Sequence, residues 1–235
     1  MYENFKYLDA VAQKEITNGV FSGSVLSVIH KGEIVYLKSF GLADKEKNIP
    51  MKTDSIFRLF SMSKPVTAAA AMILIERGLF DTRHLLKWFI PEFSDPVVLD
   101  ENGERPADRD ITIGDLLTMT SGIPYPDDTP AGQKMGALWG EQSEKYLKGE
   151  KLLDTVSFAK EMGKRPLMFS PGEKWMYGAS ADIMGAVIEV VSGMKFGDFL
   201  RKEIFEPLGM DDTGFYIPAE KYSRLAQCYE YKNGG

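Results

Sequence analysis

The feature that most restricts this chain is the run "SMSKPVTAAAAMILIERG", residues 61–78. Residues 66–75 carry no charge, so a helix there has no face suited to water and belongs at the centre of a fold. A bilayer crossing needs ~20 apolar residues, about twice this length, so the run reads as a core helix. Arg77 and Gly78 close it. Yet it opens on two hydroxyls and a lysine packed together: Ser61, Met62, Ser63 and Lys64.

Helical residues three apart share a face, so Ser61 and Lys64 point the same way from the first turn, where Pro65 is tolerated. Ser63 falls on a different face. Burial disfavours an ammonium, so a desolvated Lys64 is expected to have a lowered pKa and to take the serine proton as a neutral amine. The helix N-terminus offers amide hydrogens and a positive field to an oxyanion. The structural alternative is that Ser61 caps the helix while Lys64 extends to solvent, because S-x-x-K also arises by chance.

Around this helix the pattern is mixed. Residues 2–18 place Phe5, Leu8, Val11 and Ala12 at helical spacing before Gly19. Residues 24–30 and 34–40 are β-branched and aromatic runs joined by Lys31-Gly32-Glu33, which predicts an antiparallel hairpin. Residues 78–169 read as short helical pieces and long loops, with Thr112 to Asp115 spaced like a capping box that lacks its Glu. "SADIMGAVIEVV", residues 180–191, predicts an apolar helix capped by Ser180 and ended by Gly193, and residues 196–205 a further helix stopped by Pro207. After Tyr216 only residues 226–231 are a strand candidate, and two or three strands need covering helices to be stable.

Composition removes several classes of function. The 235 residues are 44% hydrophobic and 26% charged, an ordinary globular balance, and 28 basic against 34 acidic residues give a net charge of -6 with no basic block. Nucleic acid is therefore not an expected partner. One cysteine, Cys228, excludes an internal disulfide, and two histidines, His30 and His84, exclude a histidine-rich metal site. The first fifteen residues mix acids with apolar side chains where a signal peptide would be basic and then apolar, so the expected location is cytoplasmic, with no membrane span. No G-x-S-x-G, H-E-x-x-H, G-x-G-x-x-G or G-x-x-x-x-G-K occurs, and the pairs Asp127-Asp128 and Asp211-Asp212 read as solvated. Neither a cofactor nor a metal is expected.

Four segments in order resemble one family. "FRLFSMSKPVTAAAAMILIERGLFD", "ITIGDLLTMTSGIP", "FSPGEKWMYGASADIMGAVIEVVSG" and "IFEPLGMDDTGF" are similar to the serine β-lactamase and penicillin-binding-protein family, in particular its class C β-lactamase, D-alanyl-D-alanine peptidase and family VIII carboxylesterase group. The resemblance covers roughly residues 20–230. It implies an α+β, β-lactamase/transpeptidase-like fold with an antiparallel sheet flanked by helices and a helix-rich lobe. Residues 1–235 would form the N-terminal portion of one such domain: 1–60 the helix and hairpin, 61–215 the nucleophile helix and helical lobe, 216–235 the start of a return to the sheet. It also implies a mechanism, with Ser61 as nucleophile and Lys64 and Tyr177 sharing proton transfer. A phenolate beside an ammonium is favoured by the opposite charge.

Two departures shape the functional expectation. The family's β-lactamases have asparagine two places after the tyrosine to hold an amide side chain; here Ala179 stands there, which shifts the expectation toward esters. The family's Lys-Thr-Gly or His-x-Gly triplet has no counterpart after Tyr177, so the strand giving a second oxyanion amide, with the C-terminal strands of the sheet, is expected to be missing. Removing one such donor costs about 100- to 1,000-fold in rate. The expected function is a serine hydrolase of carboxylesterase type; the alternatives are a β-lactamase or D-alanyl-D-alanine carboxypeptidase, and a non-catalytic binding module or fragment. Tyr125, Trp175 and Ala179 are the expected substrate-binding positions, with a small ester or amide as substrate and a complementing C-terminal segment or second chain as possible partner.

Overall fold

A computed structural model describes residues 5–230, and the chain divides into two compact units. The first takes the described residues of Met1–Phe60 and Gly214–Gly235, the second Ser61–Thr213.

The first unit includes helix α1 (Lys6–Thr17); residues 2–4 of the expected helix lie outside the described residues. Strands β1 (Gly23–His30) and β2 (Glu33–Asp44) form the expected antiparallel hairpin, in a register pairing Gly23 with Gly41 and His30 with Glu33. Asp9 on α1 ties it to β2, accepting hydrogen bonds from the Tyr36 hydroxyl at 2.6 Å and Lys38 Nζ at 2.5 Å. Gly41 does not end β2, which runs on to pair with β3 (Ile49–Pro50). A tight turn makes this possible, with Asp44 Oδ1 accepting from the Lys47 amide at 2.9 Å. The expected strand at 226–231 is absent from its described part. In its place a single parallel bridge joins Ile56 to Leu225, and the amides of Ala226 and Gln227 donate to Ile56 O at 2.9 Å and Ala43 O at 2.8 Å. Tyr231 lies outside the described residues.

A 3-10 turn (Phe60–Met62) leads into α2 (Ser63–Glu76), and the second unit starts within that turn at Ser61. Thr67, Ala70, Ala71 and Leu74, at helical spacing, are buried. Helix α2 packs against α6 (Ser180–Ser192), with small side chains at Thr67, Ala70 and Ala71 on its buried face. Burial of α2 is one-sided: Pro65 and Ala69 are exposed and Met72 is 51% exposed, so the uncharged run is a half-covered helix and not one enclosed on all sides.

Between these helices the chain is more ordered than a loop reading suggests. A two-stranded hairpin, β4 (Val97–Asp100) with β5 (Gly103–Pro106), turns at an Asx bend in which Asp100 Oδ1 accepts from the Asn102 amide at 2.8 Å. Helix α3 (Ile113–Leu117) carries a complete capping box, with aspartate in the place of the usual glutamate: the Asp115 amide donates to Thr112 Oγ1 at 3.2 Å, and Asp115 Oδ2 accepts from the Thr112 amide at 2.8 Å. Helix α4 (Pro130–Leu147) is capped by the Thr129 side chain with proline at its first position, and α5 (Thr155–Gly163) by Asp154.

Helix α6 is buried continuously from Ile183 to Glu189, as its apolar run predicts, and ends at Gly193 in the left-handed conformation. The cap differs from expectation. Ala179 holds the N-cap place, and Ser180 is turned inward, sharing a 2.8 Å hydrogen bond with buried Ser121. The expected helix at 196–205 divides into α7 (Phe196–Leu200) and a π-helical turn (Arg201–Phe205). The core includes Leu74, Phe80, Leu86, Ile90, Ile113, Leu116, Met135, Ile183 and Phe199. No helix among the described residues is long and apolar enough to cross a membrane.

Candidate active site

Ser61 lies in the 3-10 turn just before α2, and Lys64 in the first turn of α2 itself, so the three-residue spacing brings their polar ends together. Lys64 Nζ donates to Ser61 Oγ at 3.3 Å. Phe60, immediately before the serine, has a φ of 45°, a left-handed conformation that costs a bulky residue on the order of 1–3 kcal/mol. The backbone is bent against preference at the point that presents the hydroxyl.

Tyr177 arrives from the segment before α6, and its hydroxyl donates to Ser61 Oγ at 2.5 Å. Lys64 Nζ lies 4.6 Å from the centroid of the Tyr177 ring and 5.4 Å from that of Tyr125. One ammonium is thus flanked by two phenols, whose ring centroids are 6.0 Å apart. The Tyr125 hydroxyl donates to Asp182 Oδ2 at 2.8 Å and also interacts with the Lys64 ammonium.

The placement of the tyrosines depends on glycine. Gly178, next to Tyr177, packs so closely on the chain at Ile123 that an added Cβ would sit 2.2 Å from the Ile123 carbonyl oxygen. Gly122 has a φ of +78°, and its Cβ would fall 2.4 Å from Phe169 O. The Ala179 amide then donates to Ile123 O at 3.2 Å, fixing Tyr177 and Tyr125 relative to each other.

A charged brace supports the same segment. Arg109 grips Asp115 with two hydrogen bonds, Nη1 to Oδ2 at 2.7 Å and Nη2 to Oδ1 at 2.8 Å, and Thr120 Oγ1 donates to Asp115 Oδ1 at 3.1 Å. From that loop the carbonyls of Met119 and Thr120 accept the amides of Met176 at 2.9 Å and Gly172 at 2.8 Å. Met119 also has a left-handed φ, 59°.

The electrostatics correct one expectation. Burial does pull the Lys64 ammonium toward neutrality, but hydrogen bonds and charge interactions with Tyr177 and Tyr125 outweigh it and raise its pKa above the ordinary lysine value. That direction is opposite to the lowering that burial alone leads one to expect for Lys64. The group made more acidic is Tyr177, held below the usual tyrosine value by hydrogen bonds with Lys64 and Ser61, against burial and the charge of Asp182. Tyr125 moves oppositely, pushed up to about 12 by burial and by Asp182. Two neighbouring phenols are thereby driven apart in acidity, the usual mark of divided roles in acid-base chemistry.

Of the positions singled out from sequence, Ser61, Lys64, Tyr177 and Tyr125 come together. Ala179 does not join them: its side chain is fully buried in the core and offers a substrate no surface. Trp175 is 67% exposed and makes no ring contact with Tyr125 or Tyr177, whereas Trp139 stacks edge-on against Tyr125 with centroids 6.0 Å apart. Sequence reasoning missed Asp182, whose place in the first turn of α6 reads equally well as a helix-dipole residue. It also missed the Arg109–Asp115 brace, for which the capping-box spacing was the one available signal.

Comparison with known proteins shows the family of the chain. A sequence profile of the family described as Beta-lactamase matches residues 8–235. Esterase EstB of Burkholderia gladioli is 34% identical over 211 residues, covering 88% of this chain and 50% of EstB. Lovastatin esterase of Penicillium rubens is 33% identical over 219 residues, covering 89% of this chain and 52% of that enzyme. Among solved structures, EstCE1, described as a hydrolase with promiscuous acyltransferase activity, superposes with a TM-score of 0.80 at 28% identity, covering 97% of this chain and 57% of that one. The chain spans about half the length of the curated relatives it matches. It has the β-lactamase/transpeptidase-like fold, with helices and a small antiparallel sheet, and belongs to the β-lactamase family.

Proposed function

We propose that the protein is a serine hydrolase of carboxylesterase type, with Ser61 as nucleophile, Tyr177 as general base and acid, and Lys64 as the cation that keeps Tyr177 acidic. The observation that carries this reading is the convergence of two groups on one oxygen: Tyr177 Oη at 2.5 Å and Lys64 Nζ at 3.3 Å from Ser61 Oγ. With Tyr177 protonated, the phenol donates to the serine. Ionisation reverses the bond, so that Ser61 donates to a phenolate along the same line.

Ser61 Oγ then attacks the acyl carbon as its proton passes to Tyr177, forming a tetrahedral oxyanion. Collapse breaks the bond to the leaving alcohol, which takes the proton back from Tyr177 and departs, leaving an acyl-serine. Water, or a second alcohol, repeats the sequence in reverse. Lys64 stays charged throughout, which is what its raised pKa supports.

Esters are favoured over β-lactams because the relatives include two named esterases. The proposal assigns the second oxyanion donor to a complementing segment outside these 235 residues. The lack of a Lys-Thr-Gly or His-x-Gly triplet after Tyr177 and the double length of the relatives support that assignment. The test is a comparison of short-chain p-nitrophenyl esters with a cephalosporin, using the chain alone and with the following half of a relative supplied in trans. Ester turnover that disappears in Ser61→Ala is the expected result. Preferential cephalosporin turnover, or ester turnover indifferent to Ser61→Ala, contradicts the proposal.

A further inference from the structure

The two phenols beside Lys64 are not equivalent in their partners. Tyr177 reaches the serine, while Tyr125 turns its hydroxyl to the carboxylate of Asp182 at 2.8 Å. Asp182 stands five residues beyond Tyr177, in the first turn of α6, and so is carried by the same piece of chain that delivers Tyr177. Tyr125 stands two residues beyond Ile123, whose carbonyl receives the Ala179 amide.

We propose that Asp182 is a positioning residue of the serine centre: by accepting the Tyr125 hydroxyl it turns that phenol away from Ser61, leaving Tyr177 as the one phenol joined to the nucleophile. The inference rests on the roles given above to Ser61, Lys64 and Tyr177, and adds to them a residue that touches neither serine nor lysine in the hydrogen-bond network. The groups facing the phenols are Ser61 and Lys64 from the α2 side and Asp182 from α6. Lys64 already lies over both rings, at 4.6 Å and 5.4 Å from their centroids, so the carboxylate is what distinguishes the two phenols. Without it the Tyr125 hydroxyl would be free to turn toward Ser61, and the acid-base group at the serine would no longer be unique. The high pKa of Tyr125, raised by burial and Asp182, agrees with this division.

The test is a pH titration of the protein labelled at the tyrosine Cζ carbons, with the two resonances assigned from Tyr125→Phe and Tyr177→Phe. In the unaltered chain the Tyr125 signal is expected to stay that of a phenol through pH ~11 while Tyr177 titrates below 10. Asp182→Asn keeps an acceptor of the same shape but removes the charge, and is expected to lower the Tyr125 midpoint by about one unit or more. Midpoints unchanged in Asp182→Asn overturn the proposal. This readout needs no turnover, so it stands even where the hydrolase reading fails. A second arm follows the rate of fluorophosphonate reaction at Ser61. If Asp182 acts through Tyr125, Asp182→Ala slows the reaction about tenfold alone and adds nothing in the Tyr125→Phe background, whereas additive losses contradict it.

Discussion

The Tyr177 hydroxyl and Ser61 Oγ, 116 residues apart in sequence, meet at 2.5 Å. Since Tyr177 is 46% exposed, its ring contributes little to the core, and Tyr177→Phe is expected to leave folding intact. Fluorophosphonate reaction at Ser61 should then fall by about 100- to 10,000-fold, the usual weight of a positioned acid-base group. A loss below threefold with unchanged circular dichroism would remove Tyr177 from the mechanism.

Lys64 and Tyr177 set opposite limbs of the pH profile. As the proposed base, Tyr177 would act as a phenolate with a pKa lowered from 10, so reactivity should rise as pH climbs toward that lowered value. As its proposed cation, Lys64 would act as an ammonium with a pKa raised from 10.5, so reactivity should decline only above that pH. Lys64→Met should move the rising limb upward, because the phenolate loses its cation. An acid limb unmoved in Lys64→Met, and unmoved in Tyr177→Phe, would contradict the assignment of base.

The Arg109–Asp115 brace is a stability element. The Asp115 side chain is only 7% exposed, so Arg109→Met leaves a nearly buried carboxylate without its cation. Unfolding by urea should show a loss of about 3 kcal/mol. Burial works to raise the Asp115 pKa, but Arg109 and Thr112 overcome it and hold the carboxyl below the ordinary aspartate value. Its contribution is therefore full above pH ~4 and fades as pH falls through the lowered value, so Asp115→Asn should flatten the acid end of the stability curve.

Gly178→Ala tests the close approach that orders both tyrosines. An added Cβ would lie 2.2 Å from a backbone oxygen, which cannot swing aside as a flexible side chain could. A destabilisation of about 1–3 kcal/mol is expected, with a drop in Ser61 reactivity measured at a temperature where the variant is folded. Full reactivity in a folded Gly178→Ala protein would show that the packing does not position Tyr177.

Local signals carried the hairpin, the position of α2 and the span of α6, because each follows from spacing within a short window. Ser61 and Lys64 were legible for the same reason, three residues apart at a helix start. The state of Lys64 was not, since it depends on two tyrosines that arrive from 61 and 113 residues downstream, and their charge interactions override the burial that the apolar run suggested. Ala179 illustrates the opposite failure: a family position pointed to the substrate, yet packing placed its methyl in the core. Helix α4 was hidden because glycines at 132, 136 and 140 dilute its helical signal, while Thr129 and Pro130, which start it, also read as loop.

The central claim is that Ser61 is an activated nucleophile. Intact-protein mass spectrometry after incubation with a fluorophosphonate tests it most directly, with peptide mapping to locate the adduct. The account predicts a single adduct on Ser61 that is absent in Ser61→Ala and strongly reduced in Tyr177→Phe. No adduct on the folded protein, even with the following half of a relative present, or an adduct that persists in Ser61→Ala, would contradict it.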